Sequence, residues 1–233
     1  MSWSPCESAD CPVAEPTPGL LRRLRTTTVH AGTLWWRGSQ HAPDTLATGS
    51  GDTRFAPLPG TSHGYFGATR TVALLESALH ELSGPDPSIY LADLTGWTVS
   101  KVSLTAHLRL VDLRDPELAR LGVARSALVD TTARHYPCTR EWAIRLQHRR
   151  PGGHDVAGAL WHSRQADLHA RARPGGLLAD VLIHSPAEVA VAWHPSGPAT
   201  PFRTTPGTDA LVVDGRPTRL VQELSALVGA PIE

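Results

Sequence analysis

The sequence predicts an α+β fold, a mixed sheet core with flanking helices. Strand-like and helix-like segments follow one another without the regular βαβ rhythm of a doubly wound sheet. The chain has 233 residues, 41% of them hydrophobic, enough to bury one good-sized core. No internal repeat divides it into stacked units.

Met1 to about Leu20 carries Pro5, Pro12, Pro16 and Pro18, and residues 1–20 read as a disordered extension. Thr27–His30 and Thr33–Trp36 are rich in β-branched and aromatic residues, hence strands. Arg37 then opens a Gly-, Ser-, Pro- and Asp-rich loop over Gly38–Gly60. A loop of that length is uncommon and often functional. Gly64–Ala68 reads as a short strand. Thr71–Leu82 is the clearest helix: Thr71 can cap it, Val72, Leu75, Leu79 and Leu82 share a stripe, and Gly84-Pro85 ends it. Ile89–Ala92 and Trp97–Val111 read as strands, Asp115–Leu121 and Thr139–Arg149 as helices, Val156–His162 and Leu177–His184 as strands. Four prolines between His194 and Thr208 mark a flexible linker, followed by a short strand and a terminal helix over Thr218–Val228. The main domain is expected over residues 21–193, with 194–233 packing on it.

Lys+Arg and Asp+Glu are both 22, so the formal net charge is zero. This argues against a general nucleic-acid binder or a partner of anionic membranes. Only Lys101 is a lysine, and that bias makes any single arginine weaker evidence of function. Cys6, Cys11 and Cys138 fit neither a disulfide framework nor a linear zinc spacing. The first residues lack the features of a signal peptide, and no apolar run suggests a transmembrane helix. A reducing, cytoplasmic compartment is expected.

Several motifs fail their structural context. Gly60-Thr61-Ser62-His63-Gly64 matches the serine-hydrolase pattern, but Pro57 and Pro59 spoil the strand that should lead into the nucleophile. The twelve histidines include no H-E-x-x-H, and no metal site is expected. No G-x-G-x-x-G follows a strand and no Walker sequence occurs, so a nucleotide would be held by other means.

Glu76 is the most informative residue. On a helical wheel it lies next to Val72 and Leu79, at the edge of the buried stripe. A carboxylate there must be paired, hydrogen-bonded or lining a cavity; an ion pair with a nearby Arg would also satisfy it. Arg37 and Arg54 bracket the long loop and could grip a pyrophosphate as planar forks, or be ordinary surface arginines. Tyr65 could stack on a flat heterocycle or serve as core. Ser163, ending its strand, is by itself an ordinary turn or cap residue.

Taken together the signals are specific. Arg37 and Arg54-Phe55 precede Tyr65-Phe66-Gly67-Ala68 and then Thr71-Val72-Ala73-Leu74-Leu75-Glu76-Ser77-Ala78-Leu79-His80-Glu81. Tyr136-Pro137-Cys138-Thr139-Arg140-Glu141-Trp142-Ala143 and Gly158-Ala159-Leu160-Trp161-His162-Ser163-Arg164 follow. From about Thr27 to Ser185 this resembles the RES domain, named for its Arg, Glu and Ser. The resemblance implies that these are Arg37, Glu76 and Ser163, and that the sheet core is ADP-ribosyltransferase-like. It further implies a toxin that depletes NAD⁺ as substrate, without a cofactor, and an Xre-type antitoxin as partner.

The expected reaction is cleavage of the nicotinamide–ribose bond, with catalytic Glu76, Arg37 and Ser163 and with Arg54, Tyr65 and Gly38 binding NAD⁺. Water as acceptor gives a glycohydrolase and phosphate a phosphorylase. A protein acceptor gives an ADP-ribosyltransferase, which Leu74 disfavours, since many such enzymes carry an acidic residue two positions before the catalytic Glu. A non-catalytic nucleotide- or partner-binding domain is the alternative. Homodimerisation stays open.

Overall fold

The computed structural model describes residues 5–41, 47–48, 53–56, 58, 60–80, 82, 87–149, 155–167, 187–195 and 200–233. The expected strand over Leu177–His184 lies outside them. The architecture is α+β: a mixed sheet with helices packed against it.

The strands are β1 (Thr26–Val29), β2 (Leu34–Ser39), β3 (Ala47–Thr48), β4 (Thr61–Gly67), β5 (Thr98–Leu104), β6 (Leu108–Asp112), β7 (Gly158–His162), β8 (Glu188–Pro195) and β9 (Phe202–Ala210). They form one sheet in the order β1-β6-β7-β8-β4-β2-β5-β9, with β3 beside β4. Among the described residues only β6 and β7 run parallel. A small hairpin, β10 (Val212–Val213) with β11 (Arg216–Pro217), precedes the last helix. The helices are α1 (Pro18–Arg23), α2 (Arg70–Leu75), α3 (Leu91–Leu94), α4 (Asp115–Leu121), α5 (Tyr136–Arg149) and α6 (Arg219–Val228). No described helix is long and apolar enough to cross a membrane.

The main core joins α2, α5 and α6 to the sheet through Leu74, Leu75, Trp142, Trp161, Val191 and Leu224. A second apolar cluster, with Trp35, Val102, Leu110 and stacked Phe66 and Phe202, is built from the alternate strand positions.

Several segments depart from the sequence expectation. The extension expected to be disordered instead packs on the body of the fold from residue 5 onward: Val13 is buried, and Trp142 Nε1 donates to the Ala14 carbonyl at 2.6 Å. Apolar Val13 and a buried indole that needs an acceptor outweigh the polar, Pro-rich composition. Part of the expected linker is the strand β9, paired with β5. Its one proline, Pro206, is tolerated because β9 is the outermost strand and the pairing is bulged between Ser100 and Val102. Residues 89–92 give one bridge residue, Ile89, and the start of α3 rather than a strand. The segment read as one strand over Trp97–Val111 is two, turned at Thr105–His107.

The helix that carries the key carboxylate is shorter than its apolar stripe suggests. Thr69 rather than Thr71 caps α2, its hydroxyl accepting from the Val72 amide at 3.2 Å. The helix ends at Glu76, whose backbone (φ −95°, ψ 2°) has left the α region. Ser77 donates its hydroxyl to the Ala73 carbonyl at 2.6 Å, so side-chain bonding competes with the helix at this end. Glycines let α2 sit close to the sheet. A Cβ on Gly67 would strike the Val72–Ala73 backbone, and one on Gly38 would strike the Ser77 hydroxyl.

Candidate active site

Glu76 stands at the C-terminal end of α2, half-buried. Ser163, at the end of β7 and fully buried, donates its hydroxyl to Glu76 Oε1 at 2.6 Å. The Gln165 amide donates to the same oxygen at 3.3 Å. Among the described residues no hydrogen bond reaches the other carboxylate oxygen. Ser163 also caps the helical turn that follows it, accepting from the Ala166 amide at 3.0 Å. Its one oxygen thus accepts from the backbone and gives its proton to Glu76, which makes it a positioning group. Gln165 secures the far side of the same turn, its Nε2 donating to the His80 carbonyl at 2.6 Å.

Arg54 is 7% exposed. Its Nη2 donates to the Thr131 carbonyl at 3.2 Å, and its guanidinium lies 5.5 Å from the Tyr136 ring centroid. Thr139 holds its carbonyl oxygen. Among the described residues no carboxylate pairs with Arg54, and its buried Nε has no hydrogen-bond partner. A buried guanidinium without a counter-ion is costly unless an anion joins it.

Tyr65, in β4, is half-buried. It donates to Thr53 Oγ1 at 3.0 Å and accepts from the Phe55 amide at 3.1 Å, so its phenol is tied to the residues flanking Arg54. Burial pushes the phenol up to about 12, so it stays protonated. Its ring meets Trp161 and His63 edge-on, at centroid distances of 6.1 and 6.2 Å.

Arg37 is 5% exposed and lies within β2, one strand residue further than the sequence places it in a loop. β2 and β4 share a single register pair, Trp36 with Gly67. β2 continues along β5, while Ser62 and His63 of β4 pair with β3. Arg37 nevertheless lies near enough to His63 for its charge to act: burial first, and then Arg37, hold the His63 imidazole below its usual range. Gly38 is a packing position, keeping β2 clear of Ser77, the residue after Glu76. Ser62 lies buried inside β4, not at the strand-to-helix elbow that a hydrolase nucleophile requires.

The fold therefore joins Glu76 directly to Ser163, and Arg54 to Tyr65 through Thr53 and Phe55. Trp161, two residues before Ser163 on β7, touches both Tyr65 and Phe55 and links the two groups. Sequence reasoning missed His63 and Arg125. Among the described residues, His63 Nδ1, Trp161 Nε1 and Arg54 Nε are buried without hydrogen-bond partners. Arg125 grips the turn after Ser163, donating to Asp167 at 2.6 Å and to the His162 carbonyl at 3.2 Å. Asp115 and Asp130 complete its coordination.

A chain in the crystal structure of the M. tuberculosis MbcT-MbcA toxin-antitoxin complex is similar in fold, with a TM-score of 0.51 at 12% identity, over 90% of this chain and 98% of that one. No curated protein matches the chain. The RES domain profile matches residues 28–205, a span holding Arg37, Arg54, Tyr65, Glu76 and Ser163, and the chain belongs to the RES-domain family.

Proposed function

We propose that this protein cleaves NAD⁺ between nicotinamide and ribose, as the toxin of a toxin–antitoxin pair. The observation that carries the reading is Glu76, presented at the end of α2 with one oxygen fixed by Ser163 and the Gln165 amide. Nicotinamide in NAD⁺ is a cationic leaving group and departs neutral without a general acid. As the C–N bond breaks, positive charge builds on the ribose C1′ and ring oxygen. A fixed carboxylate beside them stabilises that charge without reorganising. Water or phosphate then adds to C1′, giving ADP-ribose or its 1-phosphate. With water, one proton is released.

Arg54 and Arg37 supply positive charge for the pyrophosphate. Arg54 brings a buried guanidinium that no described carboxylate neutralises. Tyr65 offers an aromatic wall whose hydroxyl is already engaged, so it orients rather than transfers protons. NAD⁺ is consumed as substrate, and the chemistry needs no bound cofactor. The similar fold comes from a toxin–antitoxin complex, which supports a protein antitoxin as partner; an Xre-type protein is the expected class.

The test is nicotinamide release from NAD⁺, with and without phosphate, by the wild type and by Glu76→Gln. Removing the charge should cost about 3 kcal/mol of transition-state stabilisation, roughly 10²–10³ in rate. Phosphate dependence names the acceptor. Release unchanged in Glu76→Gln would remove the assignment.

A further inference from the structure

All three cysteines of the chain meet at one place. Cys6 and Cys11 come from the N-terminal segment. Cys138 lies in the first turn of α5, and His135 ends the short 3₁₀ turn before it. Cys11 Sγ is 3.6 Å from Cys138 Sγ, and Cys6 Sγ is 3.4 Å from His135 Nδ1. The Cys6 amide donates to Cys138 Sγ at 3.3 Å. The ligand atoms of Cys6, Cys11 and His135 all lie within 4.8 Å of one another. None of the three cysteines is in a disulfide.

We propose that Cys6, Cys11, His135 and Cys138 form a structural Zn²⁺ site that pins the N-terminal segment to the start of α5.

The distances carry the choice of metal. Zinc bound at about 2.3 Å to sulfur and about 2.05 Å to nitrogen has tetrahedral edges of about 3.8 Å between sulfurs and about 3.6 Å from sulfur to nitrogen. The two measured edges, 3.6 and 3.4 Å, are close to these. Cys6, Cys11 and His135 bring three ligand atoms within reach of one ion, and Cys138 Sγ, 3.6 Å from Cys11 Sγ, is the neighbouring sulfur that would close on the ion to complete the four-ligand set structural zinc takes. The linear pattern is split, with four residues between Cys6 and Cys11 and two between His135 and Cys138. Each half has the short spacing that lets neighbouring residues share an ion, and folding brings the halves together. The expectation of no metal rested on linear spacing alone.

The site also answers a structural need. Residues 5–17 have no helix or strand, yet Val13 and Cys138 are buried where this segment crosses the fold. A bound ion supplies the free energy that so short an irregular segment cannot gain from apolar burial alone. Ligation through Nδ1 places the His135 ring proton on Nε2, which now accepts from Arg134 Nε at 2.9 Å. Arg134 is exposed and paired with Asp10, so it can turn away when the ion binds. The consequence reaches the neighbouring site. Tyr136 and Thr139, on the turn beside Cys138, are the residues that hold Arg54.

The full-length protein, purified without chelators, should carry one zinc per chain by elemental analysis. Stripped of metal and titrated with Co²⁺, it should develop tetrahedral d–d bands and thiolate-to-cobalt charge transfer. Cys11→Ser and His135→Ala should each weaken Co²⁺ binding at least about tenfold, while His148→Ala, an exposed histidine elsewhere, should not. If the variants fail to fold, the wild-type cobalt spectrum decides. A protein free of zinc that gives no thiolate–cobalt band overturns the proposal. So does a Cys11–Cys138 disulfide in protein isolated under thiol-blocking conditions.

Discussion

Ser163 serves two partners through one oxygen, and that doubling explains why a serine, not an alanine, ends β7. In Ser163→Ala the Ala166 amide loses its cap and Glu76 loses its shortest hydrogen bond. Folding stability should fall by about 1–2 kcal/mol, read as a lower urea midpoint. Nicotinamide release should fall roughly tenfold, since Gln165 still holds the carboxylate. His63 makes a pH prediction. Its imidazole is buried beside Arg37, so the folded state disfavours its proton and its pKa sits below the unfolded 6.5. The stabilising contribution is complete above pH 6.5 and is lost as pH falls through the lower folded value. His63→Phe should therefore lose less stability than the wild type on acidification below pH 6.5, by urea titration at each pH. Glu76 was legible in the sequence because a carboxylate at the edge of an apolar stripe needs a reason. His63 was not, because what makes it unusual is its burial in the folded sheet and then a charge 26 positions away in sequence.

At the scale of elements, α2 is set by its neighbours. Gly67 and Gly38 let it approach β4 and β2, but the two positions are not equivalent. A methyl on Gly67 meets backbone, which cannot turn aside, whereas a methyl on Gly38 meets the Ser77 hydroxyl, which can rotate. Gly67→Ala should cost about 2–3 kcal/mol and Gly38→Ala about 1 kcal/mol by chemical denaturation. Gly38→Ala should also slow nicotinamide release, because Ser77 moves beside Glu76. The stripe Val72, Leu75, Leu79 and Leu82 was read correctly as buried. Its pattern could not show that the helix stops at Glu76, where the Ser77 hydroxyl competes for the Ala73 carbonyl. Strand β9 was hidden for a related reason. Prolines argue against a strand only where both edges must pair, and whether β9 is outermost depends on the sheet order.

Across the whole molecule, the N-terminal segment is part of the folded body. Deleting residues 1–16 would expose the pocket of Val13 and leave the buried Trp142 indole without its acceptor. The loss should be roughly 2–4 kcal/mol, seen as a melting temperature lowered by several degrees. The residues themselves determined the α+β class and the chief helices, and their motif order carried the RES-domain resemblance, which implies the roles of Arg37, Glu76 and Ser163. Local periodicity suffices for the class and the helices, since it records which side chains are buried and in what succession. Only the tertiary structure decided that Ser163 holds Glu76 across 87 positions, that Arg54 is buried without a described counter-ion, and that three cysteines and a histidine converge. Such pairings depend on strand order and on how closely elements approach, which arise from packing the entire chain at once.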